Sequence, residues 1–223
     1  PGLGYTDADP ALAGPFDARA EGPQVQADLL HRAAEELGVA DEIVLGHSYG
    51  GAVATGVADR APERVGSLIY LDAFILKDGQ SLGDLMIPER AEIMCAHAEE
   101  KGEGWYLPPF PADFWHVSDP KEAAFLEELS TPHPYATMLQ KLTLTGGLDK
   151  IAKKAYVLAT GYEPSSFPKF ADEMRRQGWP VEELKTRVFP LRAVGKEELL
   201  ATGEAALFKD RQHLVPRRAG ISR

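Results

Sequence analysis

Apolar residues recur at every fourth position within residues 24–37, where Val25, Leu29, Ala33 and Leu37 mark one side, Leu30 and Ala34 join them, and Glu35 and Glu36 face away. This spacing predicts an amphipathic helix closed by Gly38. The pattern then changes. Ile43, Val44 and Leu45 form a short continuous apolar run stopped by Gly46, which predicts a buried strand over 42–45. Residues 50–59 are small and suit a helix, and further buried strands are predicted over 65–71 and 155–160. A helix over 167–177 and a strand over 181–186 follow, and 196–208 is helix-like ahead of a basic tail. Strands alternating with helices in this way predict an α/β fold, with a mostly parallel sheet and helices on both faces.

The stretch between the second and third strands breaks the alternation. It is far longer than a connection needs to be, and it is rich in proline and aromatic residues. It predicts a helical cap over 75–153, folded across one end of a core made of 1–74 and 154–223. Trp105, Phe114, Trp115 and Tyr135 in the cap, with His47 and Phe74 at the sheet, are the candidate lining of an apolar substrate pocket. The same aromatics could instead hold the cap to the core.

Composition narrows the partners. The 223 residues carry a net charge of −10, a surface that repels phosphate backbones and anionic headgroups, so neither nucleic acid nor membrane is an expected partner. No run approaches the roughly 20 apolar residues of a spanning helix. Cys95 is the only cysteine, which excludes a disulfide framework and a cysteine-ligated metal. A cytoplasmic protein with no metal or organic cofactor is expected. The chain opens on Pro1-Gly2-Leu3-Gly4-Tyr5-Thr6, with no strand before a turn-rich stretch reaching Pro23, and so reads as lacking the N-terminal strands of its fold.

One motif carries chemistry. Gly46-His47-Ser48-Tyr49-Gly50-Gly51 follows a strand directly and opens a helix, the context of a nucleophile elbow. A serine on so tight a turn sits in a strained backbone conformation, so Gly46 and Gly50, two residues to either side, are expected to be needed without side chains. Ser48 is then the nucleophile, and the Tyr49 N–H at the start of the helix is the oxyanion donor. His47, adjacent to the serine on a sharp turn, points elsewhere and packs beside it.

These residues, with Ala58-Asp59-Arg60-Ala61-Pro62-Glu63-Arg64-Val65, Leu68-Ile69-Tyr70-Leu71-Asp72-Ala73-Phe74 and Asp78-Gly79-Gln80-Ser81, resemble the α/β-hydrolase superfamily. More narrowly they resemble its esterase branch of pyrethroid hydrolases, methyl-salicylate esterases and hydroxynitrile lyases. The resemblance runs over about 27–186. It implies hydrolysis of small to medium apolar carboxylic esters through an acyl-enzyme. It also implies a His-Gly loop supplying a second oxyanion donor, which is not found in this sequence; one missing donor typically costs about 10²-fold or more in rate.

A serine needs a base, and the base an acid. Alignment on Phe167-Pro168-Lys169-Phe170 puts Glu163 at the family's acid position, with Asp72, at the end of the strand after the elbow, as the alternative acid. The family's Gly-His after the last strand is replaced here by Arg187-Val188-Phe189. His213 is the only histidine downstream of the acid, the chain order this fold requires, and is the candidate base. Two other functions stay open: carbon–carbon lyase activity using a cap lysine such as Lys141, and a binding module without catalysis.

Overall fold

The computed structural model describes residues 22–161 and 165–185. The elements in chain order are α1 (Pro23–Glu36), β1 (Glu42–Ser48), α2 (Gly50–Arg60), β2 (Val65–Ala73), α3 (Pro88–Lys101), β3 (Tyr106–Leu107), α4 (Pro120–Leu129), β4 (His133–Pro134), α5 (Ala136–Leu139), β5 (Lys154–Ala159), α6 (Pro168–Arg176) and β6 (Val181–Leu184). Strands β1, β2, β5 and β6 form one parallel sheet in that order, and β3 and β4 a short antiparallel ladder. This is the parallel sheet with helices that the alternation predicts. The helix-like stretch at 196–208 and the last residue of the fourth predicted strand lie outside the described residues.

Alternation along β2 divides the core. Leu68 and Tyr70 join Tyr156 and Leu158 of β5 on one face, where Ala52, Ala54 and Ala58 of α2 and Phe170, Ala171 and Met174 of α6 cover them. Ile69, Leu71 and Val157 form a smaller cluster on the other face against Leu184. Tyr70 is fully buried, and its hydroxyl is matched by Thr55 Oγ1 at 2.8 Å, which itself donates to the Gly51 carbonyl at 2.7 Å. No polar cost is left in that part of the core.

Two elements differ from the sequence pattern. The first helix forms, but its fourfold stripe does not face inward: Leu29, Leu30 and Leu37 are 46%, 52% and 79% exposed, and Pro23, Gln26 and Ala27 are its buried residues. Close helix approach selects that face. Ala27 Cβ sits 2.8 Å from where a Gly56 side chain would begin, so only the glycine lets α1 lie on α2, and the Arg60–Asp28 ion pair closes the same contact. Strand β1, predicted as buried and stopped at Gly46, continues to Ser48 and leaves Ile43 and Leu45 exposed. Among the described residues it pairs with β2 alone.

The stretch between β2 and β5 is tied back onto the core at its far end. Asp59, buried at the end of α2, accepts from Thr145 N at 2.6 Å, Thr145 Oγ1 at 3.0 Å and Gly147 N at 2.7 Å. Burial alone would raise this carboxyl; the hydrogen bonds from Thr145, Gly147 and Leu148 outweigh it and hold the carboxyl below its usual value.

Candidate active site

Strand β1 runs into helix α2 with one residue between them, Tyr49, and the chain can reverse direction there only if Ser48 takes a left-handed conformation, φ 51°. For a serine this costs on the order of 1–2 kcal/mol, which the surrounding packing must hold in place. Four contacts do so. A Cβ at Gly46 would lie 2.9 Å from both Ala54 Cβ and Gly51 Cα, and one at Gly51 would lie 2.4 Å from the Phe74 carbonyl oxygen, so α2 is pressed against β1 and the end of β2. The Phe74 N–H donates to the Ser48 carbonyl at 3.2 Å, and Ser48 pairs with Ala73 across a register shift that passes over Asp72. Gly50, expected to be needed without a side chain, has open space where a Cβ would go; Gly51 is the residue that cannot carry one.

The end of β2 is fixed from its other side too. Tyr156 on β5 donates its hydroxyl to the Ala73 carbonyl at 3.1 Å and accepts the Ala73 N–H at 3.2 Å. Asp72, also left-handed at φ 39° and 1% exposed, accepts the Ala159 N–H at 2.7 Å. Burial raises the Asp72 carboxyl to about 7 against the opposing pull of that hydrogen bond. Ala159 ends β5. Asp72 therefore joins the end of the strand after the elbow to the end of β5. Glu163 itself and His213 lie outside the described residues.

Ser48 opens into a cavity of about 130 Å³ lined by Phe74, Leu82, Met86, Arg90, Trp115 and Phe167, together with Tyr49, Met94, Met138, Ser165 and Ser166. Of the six expected pocket residues the structure brings Phe74 and Trp115 to the serine. His47, Trp105, Phe114 and Tyr135 line neither this cavity nor the one beside it. His47 sits one residue along a strand from Ser48, with the opposite side-chain direction, and burial lowers its ring to about 4, so it is neutral. Trp105 is 39% exposed and packs edge-on to Tyr106. Phe114 stands behind Trp115, edge-on at 4.8 Å, stacked on Phe110 and covered by the Arg90 guanidinium. Tyr135 lies beside Cys95 and Glu99, and its N–H donates to the Trp105 carbonyl.

Sequence reasoning looked for aromatics and passed over the methionines. Three of the four methionines, Met86, Met94 and Met138, line the cavity at Ser48. Their common placement within one long proline-rich insertion was the available signal.

The Tyr49 N–H heads the first turn of α2, whose leading amides have no partner within the helix, and so lies at its positive end. The Tyr49 ring is edge-on to His133 at 4.9 Å, and burial raises its phenol to about 12. Thr137 Oγ1 donates to the Pro134 carbonyl at 2.7 Å and so receives the His133 Nε2 proton, also at 2.7 Å; this network assigns His133 as the neutral Nε2–H tautomer. Lys141 is exposed, near Asp84, and is absent from the lining of the Ser48 cavity.

A sharp strand-to-helix turn with a left-handed serine, at the carboxyl end of a parallel sheet, defines a hydrolase elbow. The model of the alpha/beta hydrolase family matches residues 1–203. The chain belongs to the α/β-hydrolase family. It is 38% identical over 157 residues to a carbendazim-hydrolysing esterase of Nocardioides sp. strain SG-4G, a match covering 66% of this chain and 63% of that protein. The chain thus spans less than two thirds of that relative's length.

Solved structures share the fold. An extracellular α/β-hydrolase from a Paenibacillus species aligns at TM-score 0.69 and 19% identity, over 84% of this chain and 80% of its own. A pyrethroid hydrolase from Sphingobium faniae JZ-2 aligns at TM-score 0.55 and 18% identity, over 83% and 78%. No helix among the described residues is long and apolar enough to cross a membrane.

Proposed function

We propose that the chain is a carboxylic ester hydrolase that works through an acyl-enzyme on Ser48, on neutral esters of small to medium size. The observation that carries this reading is the left-handed Ser48 at the end of β1, braced by Gly51 and Phe74 and open to a cavity lined mainly by apolar side chains. Ser48 Oγ attacks the ester carbonyl while His213 takes its proton, and the Tyr49 N–H holds the oxyanion. Collapse expels the alcohol, which receives the proton from His213, and a water deprotonated by the same ring releases the acid. Glu163 orients the histidine. His213 and Glu163 hold these roles by chain order and by resemblance, and Asp72 is the alternative acid. Residues 75–153 act as the cap that walls the substrate site, the rest being core. The ester-hydrolysing relative from Nocardioides supports hydrolysis over lyase chemistry, as does the exposed position of Lys141 away from the serine.

Replacing Ser48 by Ala and following a chromogenic short-chain ester tests the reading. Turnover is expected to fall by about 10³-fold or more, and unchanged turnover would refute it.

A further inference from the structure

Beside the cavity at Ser48 lies a second one of about 230 Å³, and the two share four residues: Tyr49, Met94, Trp115 and Met138. Two of the four are held. Trp115 is wedged edge-on against Phe114 at 4.8 Å and Phe110 at 5.9 Å, within a column in which Phe110 also stacks on His97 at 4.0 Å. Tyr49 packs on His133, which is itself hydrogen-bonded to Thr137. The two methionines have no polar tether. They come from different helices, Met94 from α3 and Met138 from the four-residue α5, and each has a flexible, unbranched side chain that repacks at low cost.

Size argues that the wall moves. A cavity of about 130 Å³ is close to that which holds a single benzene ring. Each cavity alone falls below the roughly 300 Å³ at which ligand sites usually begin, and together they exceed it. The second cavity is lined by the rings of Phe110, Trp115, Tyr49 and His133 and by Pro108 and Pro109, with Ser130 and Thr131 as neutral polar members, and among the described residues no Asp, Glu, Lys or Arg lines it. Flat faces with no charge suit a neutral aromatic group.

We propose that the two cavities are compartments of one substrate site, divided by a movable wall of Met94 and Met138. The second compartment, away from Ser48, takes a neutral aromatic group borne by the ester. This rests on Ser48 as the nucleophile, and it makes Met94 and Met138 specificity-determining residues.

Ethyl butyrate and the same ester carrying a naphthyl ring at its acyl or alcohol end are compared by kcat/KM in the wild type, Met138→Phe and Met94→Phe, each checked for folding by thermal melting. A stiff ring in the wall is expected to lower the ratio of extended to simple ester at least tenfold in one variant or both. In Ser48→Ala, where turnover is removed, a naphthyl-bearing butyramide should quench Trp115 fluorescence saturably, and adding either Phe substitution should weaken its binding by a similar factor. A ratio and an affinity within threefold of the parent protein in both folded variants would overturn the proposal. If ester turnover is absent altogether, the reading of Ser48 fails while the butyramide titration still decides whether the compartment exists.

Discussion

The sheet and the segment inserted between β2 and β5 are built by different means. In the sheet, β2 is buried for nearly all its length, and small residues on α2 lock against β1, so position is set by backbones meeting at close range. In the inserted segment α3 buries only Ala98 and α4 buries none of its residues; position there comes from rings, prolines and local caps. The difference teaches where accuracy is kept. Ser48 and the Tyr49 N–H stand on the rigid part, whereas Met86, Met94, Met138 and Trp115, which shape what reaches them, stand on the part with more freedom.

The comparison is broken most severely at Gly51. A Cβ there meets the Phe74 carbonyl oxygen, so Gly51→Ala is expected to destabilise the protein by about 3 kcal/mol and displace Ser48, while Gly50→Ala, with open space around it, stays within about 1 kcal/mol of wild type. Denaturant unfolding of the two variants side by side reads the difference. Equal losses would mean that α2 does not press on β2 as described.

A pH series sharpens the account of the rigid part. The folded-state value of Asp72 is raised, so its effect favours folding at pH below the free carboxyl's value and is lost as pH rises toward about 7. Asp72→Asn is therefore expected to remove a fall in stability between about pH 4 and 7, measured by melting temperature against pH. The variant is expected to keep the Ala159 contact, since the amide oxygen of asparagine also accepts.

The smallest effect belongs to the inserted segment. Asp119 caps α4 by accepting from Lys121 N at 2.9 Å and Glu122 N at 3.1 Å. Asp119→Ala should cost about 1 kcal/mol, seen as faster amide exchange in α4, with exchange in β1 and β2 unaltered.

Much of the scaffold was legible in the pattern of residues because buried strands and a glycine-braced turn impose narrow demands. Residues 65–71 of β2, the helix after Ser48 and the elbow itself follow from apolar runs, small residues and Gly-x-Ser-x-Gly spacing. What periodicity could not supply was the facing of α1, which is decided by the Ala27–Gly56 approach, or the exposure of Ile43 and Leu45 on β1. Nor could it separate Trp115, which reaches the cavity, from Phe114 one residue before it, which props it. That distinction is made by a short helical turn, Ala112–Trp115, whose direction no repeat in the sequence records.

The most direct test of the central claim, that the strained turn makes Ser48 the nucleophile, is intact-mass and peptide mapping after treatment with a fluorophosphonate. The account predicts a single covalent adduct on the peptide containing Ser48, which is lost in Ser48→Ala. An adduct that persists in that variant, or that maps to Ser165 or Ser166 in the same cavity, would contradict it.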